Sequence, residues 1–343
     1  MSGPLLVGII GCGRIHRNHA QAARLAQGVE LAGVSDVDEA KLSAASAEWG
    51  VPGYQRYEDM FAAGVDAVSV CLPHHLHAPV AEAAAAAGVH VLCEKPLATT
   101  VEECDEIIAA CDRHGVELGV VYQHRFNDTV QALRRLLEDD RLGRPILGTA
   151  LFQYHKSPDD TAYFAGSGWR GTWERDGGGV LNSHAVHAID LVCWLLGVVV
   201  EVKGSIATLT HSTEVEDTGA AVLRFKSGAL ATVAASMSVG VKFDQRITIS
   251  GTKGVAVLTD SRGLDVEYLD GSRESHRFEP NFQSPEFETN VAYGRGHIAL
   301  LEDFAAAVRE GRRPLSDGRN ARELLHVIKR LYADARAVEA AAS

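Results

Sequence analysis

The 343-residue chain has no Cys-x-x-Cys pair, no long basic run and no stretch of about 18 apolar residues able to cross a bilayer as a helix. Each absence removes a class of function. The six cysteines (Cys12, Cys71, Cys93, Cys104, Cys111, Cys193) lack zinc-ribbon or redox spacing, so free thiols in a reducing cytoplasm are expected. Lysine and arginine number 33 against 45 acids, a formal charge of −12. With no basic run to offset that charge, nucleic acid and anionic membrane are poor partners. No repeat is present, and the only low-complexity segment is the alanine-rich Ala81–Ala87. The opening "MSGPLLVGII" lacks a basic leader and is interrupted by Gly11-Cys12-Gly13-Arg14, which predicts a first strand rather than a signal peptide.

What is there is an alternation. Apolar runs at Leu5–Ile10, Val29–Val34, Ala67–Leu72, Val89–Leu92 and Glu117–Val121 are separated by helical, alanine-rich stretches. That pattern predicts an α/β fold with a doubly wound parallel sheet. After Tyr122 the pattern changes to strand-like runs punctuated by turns, with helices expected at Thr129–Asp139, Ser183–Leu196, Gly296–Glu310 and Asn320–Val338. This half reads as a large, mainly antiparallel sheet with a few helices. The expected division is a nucleotide-binding domain over 1–122 and a second α/β domain over 123–343, whose C-terminal helices are free to pack back on the first.

Three stretches carry chemistry. In "VGIIGCGRIHRNHA", Gly11-x-Gly13 follows the first strand and opens a helix, which suits close approach of a pyrophosphate. The third fingerprint position holds His16 instead of a small residue. Asp36, at the end of the second strand, can accept from ribose hydroxyls and repel an extra phosphate, so NAD is expected over NADP; a simple cap on the next helix is the alternative. In "CEKPLATT", Pro96 keeps Lys95 out of helix at a strand end that faces the ligand crevice of an open sheet. In "DGGGVLNSHAVHAIDLVCWLLG", Ser183 and His187 stand at i and i+4, on one face of a single expected helix, with His184 beside them. Asn182 or Ser183 is an alternative cap for that helix. A metal reading of His184, His187 and Asp190 lacks a clear fourth ligand, the place of His74, His75 and His77 after a strand and beside Pro73 favours cofactor-loop contacts, and no metal is expected.

These marks, together with His19, Pro73 and His77 in "LPHHLHAP", Arg125-Phe126, Trp169-Arg170-Gly171-Thr172 and "GHIALLEDFAAAVREGRRPLSDG", resemble the glucose–fructose oxidoreductase / myo-inositol dehydrogenase (Gfo/Idh/MocA) family along nearly the whole chain. The resemblance implies an N-terminal Rossmann domain, a C-terminal α/β domain with an open sheet, and a cytoplasmic homodimer or homotetramer. It implies hydride transfer between NAD(P) and a secondary alcohol or ketone of a sugar, sugar derivative or cyclitol. By the same resemblance, Lys95 and His187 are catalytic, the first acting on the substrate oxygen and the second as acid/base. Ser183, which stands where the family commonly has an acid, is the third catalytic candidate and would orient the substrate or the base. Gly11, Gly13, Arg14, Ile15, Asp36, Leu72, Pro73, His77, Glu94, Lys95, Trp169 and Arg170 are expected at the cofactor. Lys95, Arg125, Tyr154, Tyr163, Asn182, His184 and His187 are expected at the substrate, with Lys156 a further candidate for the pocket wall. Two rivals stay open: an NAD-dependent glycosidase that oxidises its sugar transiently, and a ligand-sensing homologue without chemistry.

Overall fold

The short apolar runs of the N-terminal third become strands buried on both faces, as parallel strands covered by crossover helices must be. The computed structural model describes residues 3–160, 163–277 and 296–342. In chain order it opens with β1 (Leu5–Ile10), α1 (His16–Leu25), β2 (Val29–Ser35), α2 (Glu39–Trp49), β3 (Gly53–Tyr54), α3 (Tyr57–Ala62), β4 (Ala67–Val70), α4 (His77–Ala86), β5 (His90–Cys93), α5 (Val101–His114) and β6 (Leu118–Val120). The six strands form one parallel sheet in the order β3-β2-β1-β4-β5-β6. Strand order reverses between β1 and β4, and ligands bind outside the carboxyl ends of such strands. Gly11 follows β1 there, and Leu72 and Pro73 lie just beyond β4.

Local signals set the helix ends. Asp38 caps α2 by accepting from the N–H groups of Ala40 and Lys41, at 3.1 and 3.2 Å. Thr100 and Glu103 form a reciprocal capping box on α5.

The chain continues with α6 (Asp128–Glu138), β7 (Pro145–His155), α7 (Val180–Ser183), α8 (Val186–Leu196), β8 (Val199–Ala207), β9 (Thr218–Phe225), β10 (Leu230–Ser236), β11 (Ser238–Gly251), β12 (Gly254–Thr259), β13 (Gly263–Tyr268), β14 (Arg273–Arg277), α9 (Gly296–Glu310) and α10 (Gly318–Ala342). The eight later strands form a second sheet in the order β14-β13-β12-β11-β7-β10-β9-β8. All its neighbours are antiparallel except β7 and β10. Burial alternates along β9 and β10: Ala221, Leu223, Phe225, Ala231, Val233 and Ala235 point inward, with exposed residues between them. Helix α8 covers the inner face against β7 and β11.

Two compact units result: Met1–Gln123 with Phe282–Arg322, and His124–Asn281 with Glu323–Ser343. Helix α9 belongs to the first, packed on α1 and β2. Among the described residues no helix is long and apolar enough to cross a membrane. The six cysteines are free thiols.

The helix expected over Ser183–Leu196 is two helices. It starts earlier, at Val180, and breaks at His184 and Ala185, where the Ala185 N–H reaches back five residues to the Val180 carbonyl at 2.8 Å. The side chains of Asn182 and Ser183 therefore do not cap it. The sequence reading also lacked β3, α3 and β14. The first two are very short, and β14, "RESHR", carries too little apolar character to announce a strand.

Candidate active site

In the first unit the turn after β1 is built for a close visitor. Gly11 has φ +98°, and a Cβ there would sit 2.6 Å from the Cys71 carbonyl oxygen, so only glycine fits. Gly13 has open space around its Cβ position, and Gly13 and Arg14 are exposed. His16, at the third fingerprint position, turns its Nδ1 back onto the Gly13 carbonyl and so closes the turn. The Asp36 carboxylate accepts from Cys12 N at 2.7 Å and from Asp38 N at 2.8 Å. Asp36 thus braces the glycine turn, while Asp38 does the capping. A half-buried carboxylate oxygen has lone pairs left for ribose hydroxyls. These residues fit a dinucleotide.

Glu94 and Lys95 follow β5. Glu94 is buried and its two oxygens have separate tasks. Oε1 accepts from His19 Nε2 at 3.0 Å and Oε2 accepts from the Lys95 N–H at 3.1 Å. Burial pushes this carboxyl up, but the His19 hydrogen bond and the charges of His19, Lys95 and His297 outweigh it and hold the pKa at about 2. His19, Glu94 and His297 each bring one donor atom within 4.8 Å of the others. Among the described residues this is the group that could hold a metal ion. Two of its three members are already joined by a hydrogen bond, so we read it as a hydrogen-bonded cluster. Lys95 is half-buried, and its bond to Pro96 is cis.

His77 departs from expectation. Its Nδ1 and Nε2 lie 2.9 Å from the Pro96 and Leu72 carbonyl oxygens, and its side chain is fully enclosed. Burial lowers its pKa to about 4. A neutral imidazole carries one N–H, so one of the two carbonyls accepts from it, and the enclosed ring lies between the loop after β4 and the loop after β5.

In the second unit, four side chains form a row. Arg170 Nη1 donates to the Tyr163 hydroxyl at 2.9 Å. Tyr163 Oη lies 3.0 Å from His184 Nε2, His184 Nδ1 lies 2.7 Å from Ser183 Oγ, and Ser183 donates to the Gly179 carbonyl at 2.7 Å. Donor counting orders the protons. Ser183 gives its only proton to Gly179, so His184 Nδ1 donates to Ser183. His184 Nε2 then accepts from Tyr163, whose oxygen accepts from Arg170. The row works with a neutral His184. Around it, Arg170 stacks on Trp169 at 4.3 Å and on Tyr163 at 4.5 Å, and Lys156 Nζ lies 3.8 Å from the Tyr163 ring centre. Tyr154 stacks on His184 at 6.0 Å.

His187 sits in the first turn of α8, its ring 4.8 Å from that of His124. The helix break puts Ser183 and His187 on different helices, which overturns the shared-face reading. Ser183 turns to His184 instead. Two residues expected at the substrate, Arg125 and Asn182, are enclosed and bonded within the chain. Arg125 is buried in a two-point pair with Asp190, its Nε 2.9 Å from Oδ2, and lies over the Trp194 ring. Asn182 has 0% exposure and donates to the Asp176 carbonyl at 3.2 Å, so its side chain anchors the loop beneath α7. Both types of residue favour sugars when exposed, and nothing in the sequence marked these two as enclosed.

A parallel sheet in Rossmann order, a braced glycine turn with an acid at the ribose position, and a lysine at a strand end on the same crevice define a dinucleotide-dependent oxidoreductase. Family models agree on both halves. Residues 5–122 match the oxidoreductase family NAD-binding Rossmann fold, and residues 130–257 match the GFO/IDH/MocA C-terminal domain. The chain belongs to the Gfo/Idh/MocA family of oxidoreductases. It is 31% identical to inositol 2-dehydrogenase 2 of Saccharopolyspora erythraea over 332 residues, covering 89% of this chain and 91% of that protein. It is 28% identical to myo-inositol 2-dehydrogenase of Thermotoga maritima over 326 residues, covering 88% and 94%. The solved structure of the WlbA dehydrogenase from Bordetella pertussis in complex with NADH and UDP-GlcNAcA is 32% identical and superposes with a TM-score of 0.85, covering 98% of this chain and 96% of that one.

Proposed function

We propose that the protein transfers a hydride between NAD and a secondary alcohol or ketone of a sugar, sugar derivative or cyclitol. The observation that carries this reading is Lys95, held by the buried Glu94 at the carboxyl end of β5 on a dinucleotide-binding sheet. The inositol dehydrogenases among its relatives support it.

NAD, when bound, supplies the hydride acceptor. Gly11, Gly13, Arg14 and Ile15 would hold its pyrophosphate, Asp36 its adenosine ribose, and Leu72, Pro73, Trp169 and Arg170 would serve its remaining length. The Asp36 charge disfavours NADP. Lys95 donates to the substrate oxygen and stabilises the negative charge that develops there. His187 takes the hydroxyl proton, a role suited to an imidazole near neutrality. Tyr163 and Tyr154 bind neighbouring hydroxyls, and His184, oriented by Ser183, holds the Tyr163 hydroxyl in place for the substrate. The protein works in the cytoplasm, consistent with its free thiols. It forms a homodimer or homotetramer through the outer face of the large sheet, where Val200, Val222 and Val255 are exposed.

A second reading narrows the substrate to a nucleotide-linked sugar. Its support is the 32% identity to a dehydrogenase solved with UDP-GlcNAcA. One screen separates these possibilities: NAD reduction measured with inositols, aldoses, amino and deoxy sugars and UDP-GlcNAcA, with keto sugars plus NADH for the reverse direction. NADH formation with a free polyol or aldose supports the first reading. Turnover restricted to UDP-GlcNAcA selects the second. Release of an aglycone without net NADH would mean a glycosidase, and saturable sugar binding with no turnover would mean a sensor.

A further inference from the structure

Helix α7 has only four residues and begins at Gly179, which offers no capping side chain. An isolated helix of that length is unstable. Its first donors are met by a residue remote in sequence. Glu216 accepts from Gly179 N at Oε2 (2.8 Å) and from Leu181 N at Oε1 (3.0 Å), and its backbone carbonyl accepts from Val180 N (3.0 Å). Three successive N–H groups of the turn end on one residue.

Helix α10 grips the same turn from another side. The Tyr332 hydroxyl donates to Glu216 Oε1 at 2.8 Å, and Lys329 Nζ donates to the Gly177 carbonyl at 2.7 Å. Lys329 and Tyr332 stand at i and i+3, on one face of α10. Trp173 packs edge-on against Tyr332 with ring centres 5.0 Å apart. The fit leaves no room in the turn. A Cβ on Gly178 would lie 2.3 Å from the Tyr332 hydroxyl, and a Cβ on Gly179 would lie 1.7 Å from the Glu216 carbonyl oxygen. The carbonyl of Gly179 is the acceptor of Ser183, so the turn is continuous with the row that orients His184.

We propose that Glu216, Tyr332 and Lys329 are positioning residues for the reaction. They hold the glycine turn and α7 so that Ser183 presents His184 and Tyr163 in one fixed arrangement. Each acts through the turn. The proposal rests on the assignment of Ser183, His184 and Tyr163 to the site.

Tyr332→Phe tests it with the loss of one hydroxyl and no change in ring packing. The expected result is a fall in kcat of about tenfold, with KM for NAD unchanged and the thermal midpoint lowered by no more than the loss of one hydrogen bond explains. Lys329→Met should act in the same direction, and Lys329→Arg, which retains a donor for Gly177, should recover most of the rate. A second readout needs no substrate: the ring ¹⁵N signals of His184, followed through a pH titration of the NADH-bound protein, should shift in Tyr332→Phe and Lys329→Met and return in Lys329→Arg. Unchanged His184 signals in both loss variants overturn the proposal, as does a fall in kcat that only tracks lost folded protein. If no compound in the screen is turned over by wild type, the reading of function fails and the histidine signals alone decide this proposal.

Discussion

The double variant Asp36→Ser, Val37→Arg probes the cofactor assignment with a magnitude that can be worked from the structure. The Asp36 carboxylate braces the turn through two backbone N–H groups, from Cys12 and Asp38. Losing them weakens any dinucleotide, because hydrogen bonds to a charged acceptor are worth about 1.5–3 kcal/mol each. That loss falls on both cofactors and cancels in their ratio, which is left with the charge of the carboxylate and its bond to the ribose hydroxyl that NADPH lacks. Two unit charges about 4 Å apart near a protein surface interact by about 4 kcal/mol before salt screening, which sets the upper bound. The lower bound is about 1.4 kcal/mol, a tenfold change. Val37 is 88% exposed, so arginine enters there without displacing packing. The NADPH-to-NADH affinity ratio should therefore rise between about tenfold and a thousandfold. Dissociation constants of NADH and NADPH, from titration of the purified protein in low and moderate salt, measure it without any substrate. A wild type that already binds NADPH more tightly, or a ratio that stays put in the double variant, would refute the role given to Asp36.

Four further outcomes are expected. Lys95→Met should reduce turnover by about 100-fold or more while NADH binding persists; a variant with most of its activity would make Lys95 structural. His187→Ala should cost about 10²–10⁴-fold in rate, and Ser183→Ala about tenfold, because it loses one orienting hydrogen bond; pre-steady-state rates compare them, and equal losses would place Ser183 in the proton transfer itself. Glu94 is held at about pKa 2, below the ordinary 4.5, so its ionised, hydrogen-bonded carboxylate stabilises the fold above pH 4.5 and that contribution is lost as pH falls through about 2. Glu94→Gln should cost about 3 kcal/mol in denaturant unfolding at pH 7, with a much smaller difference from wild type at the acid end. Glu216 is raised by burial to about 7, so its contribution is present below pH 4.5 and is lost as pH rises through about 7. Glu216→Gln should be less stable overall, because its amide faces the Gly179 N–H, yet its thermal midpoint should vary less between pH 5 and 8 than that of wild type; equal slopes would contradict the titration assigned to Glu216.

The parallel sheet was legible in the sequence because its evidence is local. The first strand, Leu5–Ile10, and the helix Gly296–Glu310, which packs back on this unit, were each bounded correctly from apolar and helical pattern alone. The glycine turn and Asp36 were legible for the same reason: the backbone conformation at Gly11 and the acid at a strand end are properties of short segments. What the tertiary structure decided is which side chains are available. Arg125, Asn182 and His77 have the chemistry of ligand contacts, and packing encloses each of them against its own chain. The helix after the glycines looked continuous because Val186–Leu196 is strongly apolar, but the break at His184 depends on a turn held by Glu216. The His19–Glu94–His297 cluster and the Glu216–Tyr332 contact join residues that are distant along the chain. Hydrogen bonds of that kind leave no periodicity and no spacing in the sequence, so only the folded arrangement reveals them.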